Sequence, residues 1–186
     1  MKNKPISIIF SLACILGCNP DKNPVEVGIG EIAYARNSII FSRNFESCSA
    51  VILDYKDESL MAHALSDNDK TPYFPEDYLT TRTVISKLKQ EAIRRRFNLE
   101  ECQLIIHALD KPSYEILVKD SKEYNLKIKT AEYDPLEYET RDYSVTISYT
   151  PSKDEKLVEK VKFNKWAVYW KILNIYVKLN KSLNIP

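Results

Sequence analysis

The sequence predicts one mixed α+β domain, and three observations carry that prediction. Of the 186 residues, 44% are hydrophobic and 28% charged, a balance that suits a soluble globular domain and not a disordered or fibrous chain. Short apolar and β-branched runs recur between polar punctuation through 31–65, 102–108, 125–131 and 143–164. Between them, 76–97 and 113–123 change to a helical period.

The N-terminus reads as targeting and not as fold. Lys2 and Lys4 precede an apolar run, Ile6 to Leu16, too short to cross a bilayer as a helix but of the length of a secretory core. It ends in Ile15-Leu16-Gly17-Cys18, which resembles a bacterial lipobox. That resemblance implies a signal peptide over 1–17, lipid on Cys18, and attachment through that lipid to the extracytoplasmic side of a bacterial envelope membrane. An ordinary secretory signal, or an uncleaved anchor with Cys18 incidental, is the alternative. Removing 1–17 takes away two lysines and no acid, so +1 becomes 25 basic against 26 acidic residues, a net of −1. Residues 18–24, mostly polar and closed by Pro20 and Pro24, read as a tether, and 25–164 as the domain.

Strands are expected at 31–36, 39–42, 48–55 and 58–65, the last two joined at Lys56-Asp57. The segment 76–97 opens on Pro75-Glu76-Asp77 and closes on Arg94-Arg95-Arg96, charges that oppose the helix dipole at both ends. Val84, Ile85, Leu88, Ala92 and Ile93 form its apolar stripe, expected to pack on a sheet. The arginine triplet reads as a solvated helix end in preference to a binding patch. A buried strand at 102–108, a helix at 113–123 and a strand at 125–131 follow. Tyr143, Val145, Ile147 and Tyr149 alternate with Ser144, Thr146 and Ser148, as in a strand with one wet face, and 156–164 is its hairpin partner. In 165–186, Trp166, Tyr169, Trp170, Leu173, Tyr176 and Val177 recur at helical spacing, an amphipathic aromatic helix expected to dock on the domain in preference to lying on a membrane.

Several function classes are excluded. The three glycines, Gly17, Gly28 and Gly30, all precede residue 31, so the rest of the chain has none for a Walker or Rossmann phosphate loop. The near-zero, dispersed charge gives no basic face for nucleic acid. Outside the signal and Cys18 the cysteines are Cys48 and Cys102, and with His63 and His107 they show no metal-ligand spacing; no metal and no cofactor is expected. Outside the cytoplasm, Cys48 and Cys102 have two options, a disulfide or one working thiolate.

A thiolate finds its partner by strand arithmetic. If Lys56-Asp57 is a symmetric tight turn, Tyr55 faces Glu58 and the register carries Ala50 opposite His63. Cys48, Ala50 and His63 then share one face, with His63 diagonal to Cys48 at roughly 7 to 8 Å between Cα atoms. A thiol beside an imidazole is the minimal unit for nucleophilic acyl transfer, because the imidazole takes the proton and later activates water. On spacing alone the plainer reading is a small buried cysteine near a satisfied strand histidine.

More than spacing is present. The runs Val27-Gly28-Ile29-Gly30-Glu31-Ile32, Ser42 six residues before the cysteine of Ser47-Cys48-Ser49-Ala50-Val51, and Met61-Ala62-His63-Ala64-Leu65 resemble the chemoreceptor glutamine deamidase (CheD) family. The likeness extends over most of 25–163 and is specific over 27–65. It implies a cysteine-hydrolase fold shared with deamidating toxins, layered β-sheets with flanking helices. It also implies Cys48 as nucleophile on a protein glutamine amide, His63 as general base and acid, and Ser42 as an orienting hydroxyl. Ser47 and His107 are accessory candidates. The sequence departs from the family at the loop before the cysteine, where Asn44 and Glu46 replace glycines, and after the central strand, where Ile106-His107-Ala108 replaces Gly-Gly-Ala. Two functions follow: an exported protein-glutamine deamidase acting on an envelope or host protein, or a catalytically silent, lipid-anchored binding module.

Overall fold

The computed structural model describes residues 23–45, 47–67, 78–135 and 143–162. Among them the chain forms β1 (Val25–Glu26), β2 (Ile32–Arg36), β3 (Ile40–Phe45), β4 (Ser49–Tyr55), β5 (Glu58–Ala64), α1 (Thr81–Arg94), β6 (Gln103–Ala108), α2 (Lys111–Glu123), β7 (Lys127–Tyr133), β8 (Tyr143–Thr150) and β9 (Glu155–Lys162). The architecture is mixed α+β, as expected. A five-stranded sheet runs β2-β5-β4-β6-β7 and a four-stranded sheet β1-β3-β8-β9.

Strand alternation builds three layers from this list. Odd-numbered β4 residues Val51 and Leu53 pack with Leu60 and Ala62 of β5, Leu104 and Ile106 of β6, and Val84, Ile85 and Leu88 of α1. Even-numbered β4 residues Ala50 and Ile52 point the other way, packing with Met61, Ile105 and the β8 residues Val145, Ile147 and Tyr149. One face of the five-stranded sheet therefore carries helices and the other carries the second sheet. Each fully buried Leu or Ile contributes about 1.5–3 kcal/mol to this arrangement.

The β4–β5 hairpin has the expected register: Tyr55 pairs with Glu58 and Ala50 with His63. Its turn lacks glycine, and Lys56 takes the strained left-handed conformation, φ 57°. Asn37 braces the turn from β2's end, its side-chain amide donating to Asp57 at 2.7 Å and its backbone N–H to the Asp57 carbonyl at 2.7 Å.

Several boundaries differ from expectation. The first helix starts at Thr81, not at 76: Tyr78 lies on a bend, Thr80 is extended and bridges Leu65, and the Thr80 N–H donates to Thr83 Oγ1 at 3.1 Å as a cap. Pro75-Glu76-Asp77 lies outside the described residues. Ile93 is 56% exposed, so the buried stripe is Val84, Ile85, Leu88 and Ala92, joined by Thr81. Arg94 and Arg95 both pair with Glu91, a solvated helix end as expected. The second helix begins two residues early because Asp110 caps it, accepting from Ser113 N–H at 2.9 Å. The next strand starts late because Asn125 turns through φ 54°. Residues 25–26 form a short strand parallel to β3 that the sequence does not suggest. The expected signal peptide, Cys18 and the aromatic helix at 165–186 lie outside the described residues. Among those described, no helix is long and apolar enough to cross a membrane.

Candidate active site

The site is assembled where the two sheets face each other. His63, fully buried, stands on β5 opposite Ala50, in the layer between the sheets. Cys48 precedes β4 by one residue and belongs to the same inter-sheet core, 6% exposed. Extending the β4–β5 register by one puts Cys48 opposite Leu65, hence diagonal to His63 on one face.

Ser42 comes from the other sheet. Its Oγ lies 2.6 Å from the Val27 carbonyl and 2.8 Å from His63 Nδ1. A carbonyl only accepts, so the single hydroxyl proton goes to Val27 and Ser42 must accept from His63 Nδ1–H. The tautomer follows: Nε2 carries the lone pair. That atom is buried and has no hydrogen-bond partner among the described residues. The triangle Val27–Ser42–His63 thus fixes one imidazole edge and leaves the basic nitrogen open for a proton.

The opening run holds the same histidine by its backbone. Gly30 N–H donates to the His63 carbonyl at 2.8 Å and His63 N–H donates to the Glu31 carbonyl at 3.1 Å. Gly30 turns there through φ 76°, with the Tyr78 ring where a Cβ would stand. Glycine at 30 is therefore required by conformation and by contact.

A further neighbour completes the enclosure: the Phe45 ring stacks on the imidazole, centroids 3.9 Å apart and planes inclined by 17°. Burial pushes the His63 pKa from 6.5 down to about 4, so the resting ring is neutral at pH 7.

Cys102 is not the partner of Cys48. The two are not joined by a disulfide, and Cys102 lies in the opposite core, under the helices, its thiol donating to the Asn98 carbonyl at 3.3 Å. Burial, then the nearby Asp54 and Glu101 carboxylates, push its pKa up to about 11, which makes it a poor nucleophile.

His107 occupies the mirror position to His63, pairing with Ala50 from β6. Its ring engages the far side. Nδ1 is 3.5 Å from Glu132 and 3.4 Å from Lys156 Nζ, and Nε2 is 3.8 Å from Asp134. Lys156 also pairs with Glu132 at 2.6 Å, and Lys160 with Asp134 at 2.7 Å, so β7 and β9 are laced together over this imidazole. Burial and then Lys156 lower its pKa. Ser47, half buried, sits on the bend before Cys48. Among the described residues no cluster of three or more His, Cys, Asp or Glu could hold a metal.

Sequence reasoning missed Phe45 and Val27. Phe45 lies beyond the strand expected at 39–42, which in the structure runs on to Phe45, and Val27 acts through its carbonyl, which no side-chain pattern signals. The sequence matches no protein-family model, and no curated protein matches it.

Proposed function

We propose that the chain is a lipid-anchored, CheD-like cysteine amidohydrolase, a protein-glutamine deamidase at the bacterial envelope. The observation that carries this is the Ser42–His63 hydrogen bond, which leaves a neutral imidazole with its basic Nε2 buried on the sheet face that also bears Cys48. His63 Nε2 takes the Cys48 proton as the sulfur adds to the side-chain amide carbon. The tetrahedral adduct collapses, the C–N bond breaks, and the proton on Nε2 leaves with ammonia. Water, deprotonated by the same nitrogen, then cleaves the thioester to a glutamate carboxylate and restores the Cys48 thiol. Ser42 acts by accepting from Nδ1–H throughout, and favours the imidazolium that exists within each step while the proton rests on Nε2. The substrate class is a protein with an accessible glutamine, and no cofactor takes part.

One observation favours a second reading. His63 is fully buried and Cys48 nearly so, which closes both from a protein side chain in this arrangement. A silent, lipid-anchored binding module of the same fold accounts for that burial. Ammonia release from a glutamine peptide separates the two. Release that is lost in Cys48→Ala but kept in Cys102→Ala supports the deamidase, and no release from any glutamine peptide or candidate envelope protein supports the silent module.

A further inference from the structure

A regular strand would put Ser42 and Phe45, three residues apart, on opposite faces. In β3 they both reach His63, and the reason is a bulge. Ser42 pairs with Ile147 of β8 while Phe45 pairs with Val145, so three steps on β3 match two on β8. The extra residue turns Phe45 back toward the inter-sheet layer, where it is fully buried. Bulges commonly re-aim a side chain, and here the re-aimed ring covers the imidazole face at 3.9 Å. Ser42 fixes the imidazole by its edge and Phe45 by its face, from one strand.

We propose that Phe45 is a positioning residue for His63: its ring fixes the imidazole plane by stacking and supports the imidazolium formed when His63 takes the Cys48 proton. This rests on the thiol–imidazole reading of the site. In the transfer the Cys48 S–H bond breaks and an N–H bond forms at Nε2, so a cation appears against an aromatic face in a buried enclosure. That face carries a negative quadrupole and attracts the cation. A leucine of similar bulk would exclude water as well but would offer no such face. The bulge therefore does more than relieve twist, because without it the aromatic ring would point away from the imidazole.

The test follows Cys48 alkylation by iodoacetamide against pH in the full chain, with His63 titration read by NMR. Phe45→Leu is expected to slow alkylation at pH 7 by about tenfold and to lower the His63 pKa, while Phe45→Tyr, which restores the ring, stays within about twofold of the parent. Pentafluorophenylalanine at 45 keeps the shape but inverts the quadrupole, so it folds where leucine fails to, and is expected to behave as leucine does. Parental alkylation and titration in the folded pentafluoro or leucine protein would overturn the proposal. His63→Ala separates the two failures: if it also leaves alkylation unchanged, the thiol–imidazole reading has failed, and if it slows alkylation while the Phe45 variants do not, only the role of Phe45 has.

Discussion

Ser42 and His63 belong to different sheets and are joined by one hydrogen bond, Nδ1–H to Oγ, at 2.8 Å. Because Ser42 spends its own proton on Val27, this bond also decides which nitrogen of the ring is basic. The layers meet here through a polar contact inside an apolar core, and such contacts are costly to leave half made.

Replacing Ser42 by alanine leaves Nδ1–H and the Val27 carbonyl without their partner. The expected loss is about 1–3 kcal/mol of stability, with Cys48 reactivity falling about tenfold to a hundredfold as the base loses its orientation. Ser42→Thr keeps the hydroxyl and is expected to retain most of both. Urea unfolding and alkylation rates of the two variants check this, and equal behaviour of alanine and threonine would contradict it.

Acid should unfold the protein early. The His63 pKa is about 4 in the folded state against an ordinary 6.5, so as pH falls through 6.5 the unfolded chain binds a proton that the folded chain refuses. Stability is therefore complete above about 6.5 and declines toward 4, by about 3 kcal/mol. His107, also lowered, acts in the same sense. Thermal melts between pH 7 and 4 should show this slope, and His63→Gln should flatten part of it.

Gly30→Ala and Gly28→Ala separate strain from crowding. At Gly30 the left-handed φ and a Tyr78 ring atom 2.8 Å from the added Cβ both resist substitution, and the expected cost is about 1–3 kcal/mol. At Gly28 the added Cβ meets the end of the flexible Glu31 side chain, which can move aside, so the expected cost is smaller. Chemical denaturation of the two variants gives the comparison, and a Gly28 variant as destabilised as the Gly30 one would contradict it.

His107→Gln should leave Cys48 alkylation within about twofold of the parent, because its Nδ1 lies against Glu132 and Lys156, on the side away from His63. Lys156→Met tests the lacing itself. Since Glu132 is half exposed, the expected stability change is below about 1 kcal/mol. A large loss of alkylation in His107→Gln would place this imidazole in the machinery beside Cys48.

What the sequence makes legible here follows from period and local chemistry. Alternation along 48–55 and 58–65, with a two-residue turn between, suffices to place Ala50 opposite His63, and Asn37 supplies the support that Lys56-Asp57 lacks. Helix ends are less legible: Pro75-Glu76-Asp77 looks like an N-terminus, yet Thr80 and Thr83 form the cap. Ile93 fits the apolar stripe by spacing and still faces solvent. The bulge in β3 has no glycine to announce it, and the strand expected at 39–42 stops short of Phe45, so nothing in the local pattern brings Phe45 to the same histidine as Ser42. The neighbours of His107 come from positions 132, 134 and 156, and only the pairing of β6 with β7 and the approach of β9 brings them together.

The role of His63 as activator of Cys48 is tested by the pH dependence of Cys48 alkylation in the parent and in His63→Ala. Cys102, with its pKa near 11, stays silent in the neutral range. The parent is expected to react at pH 7 faster than an ordinary thiol of similar burial, and His63→Ala at least about tenfold more slowly than the parent. A Cys48 that titrates as an ordinary cysteine, with a profile unchanged by His63→Ala, would rule that role out.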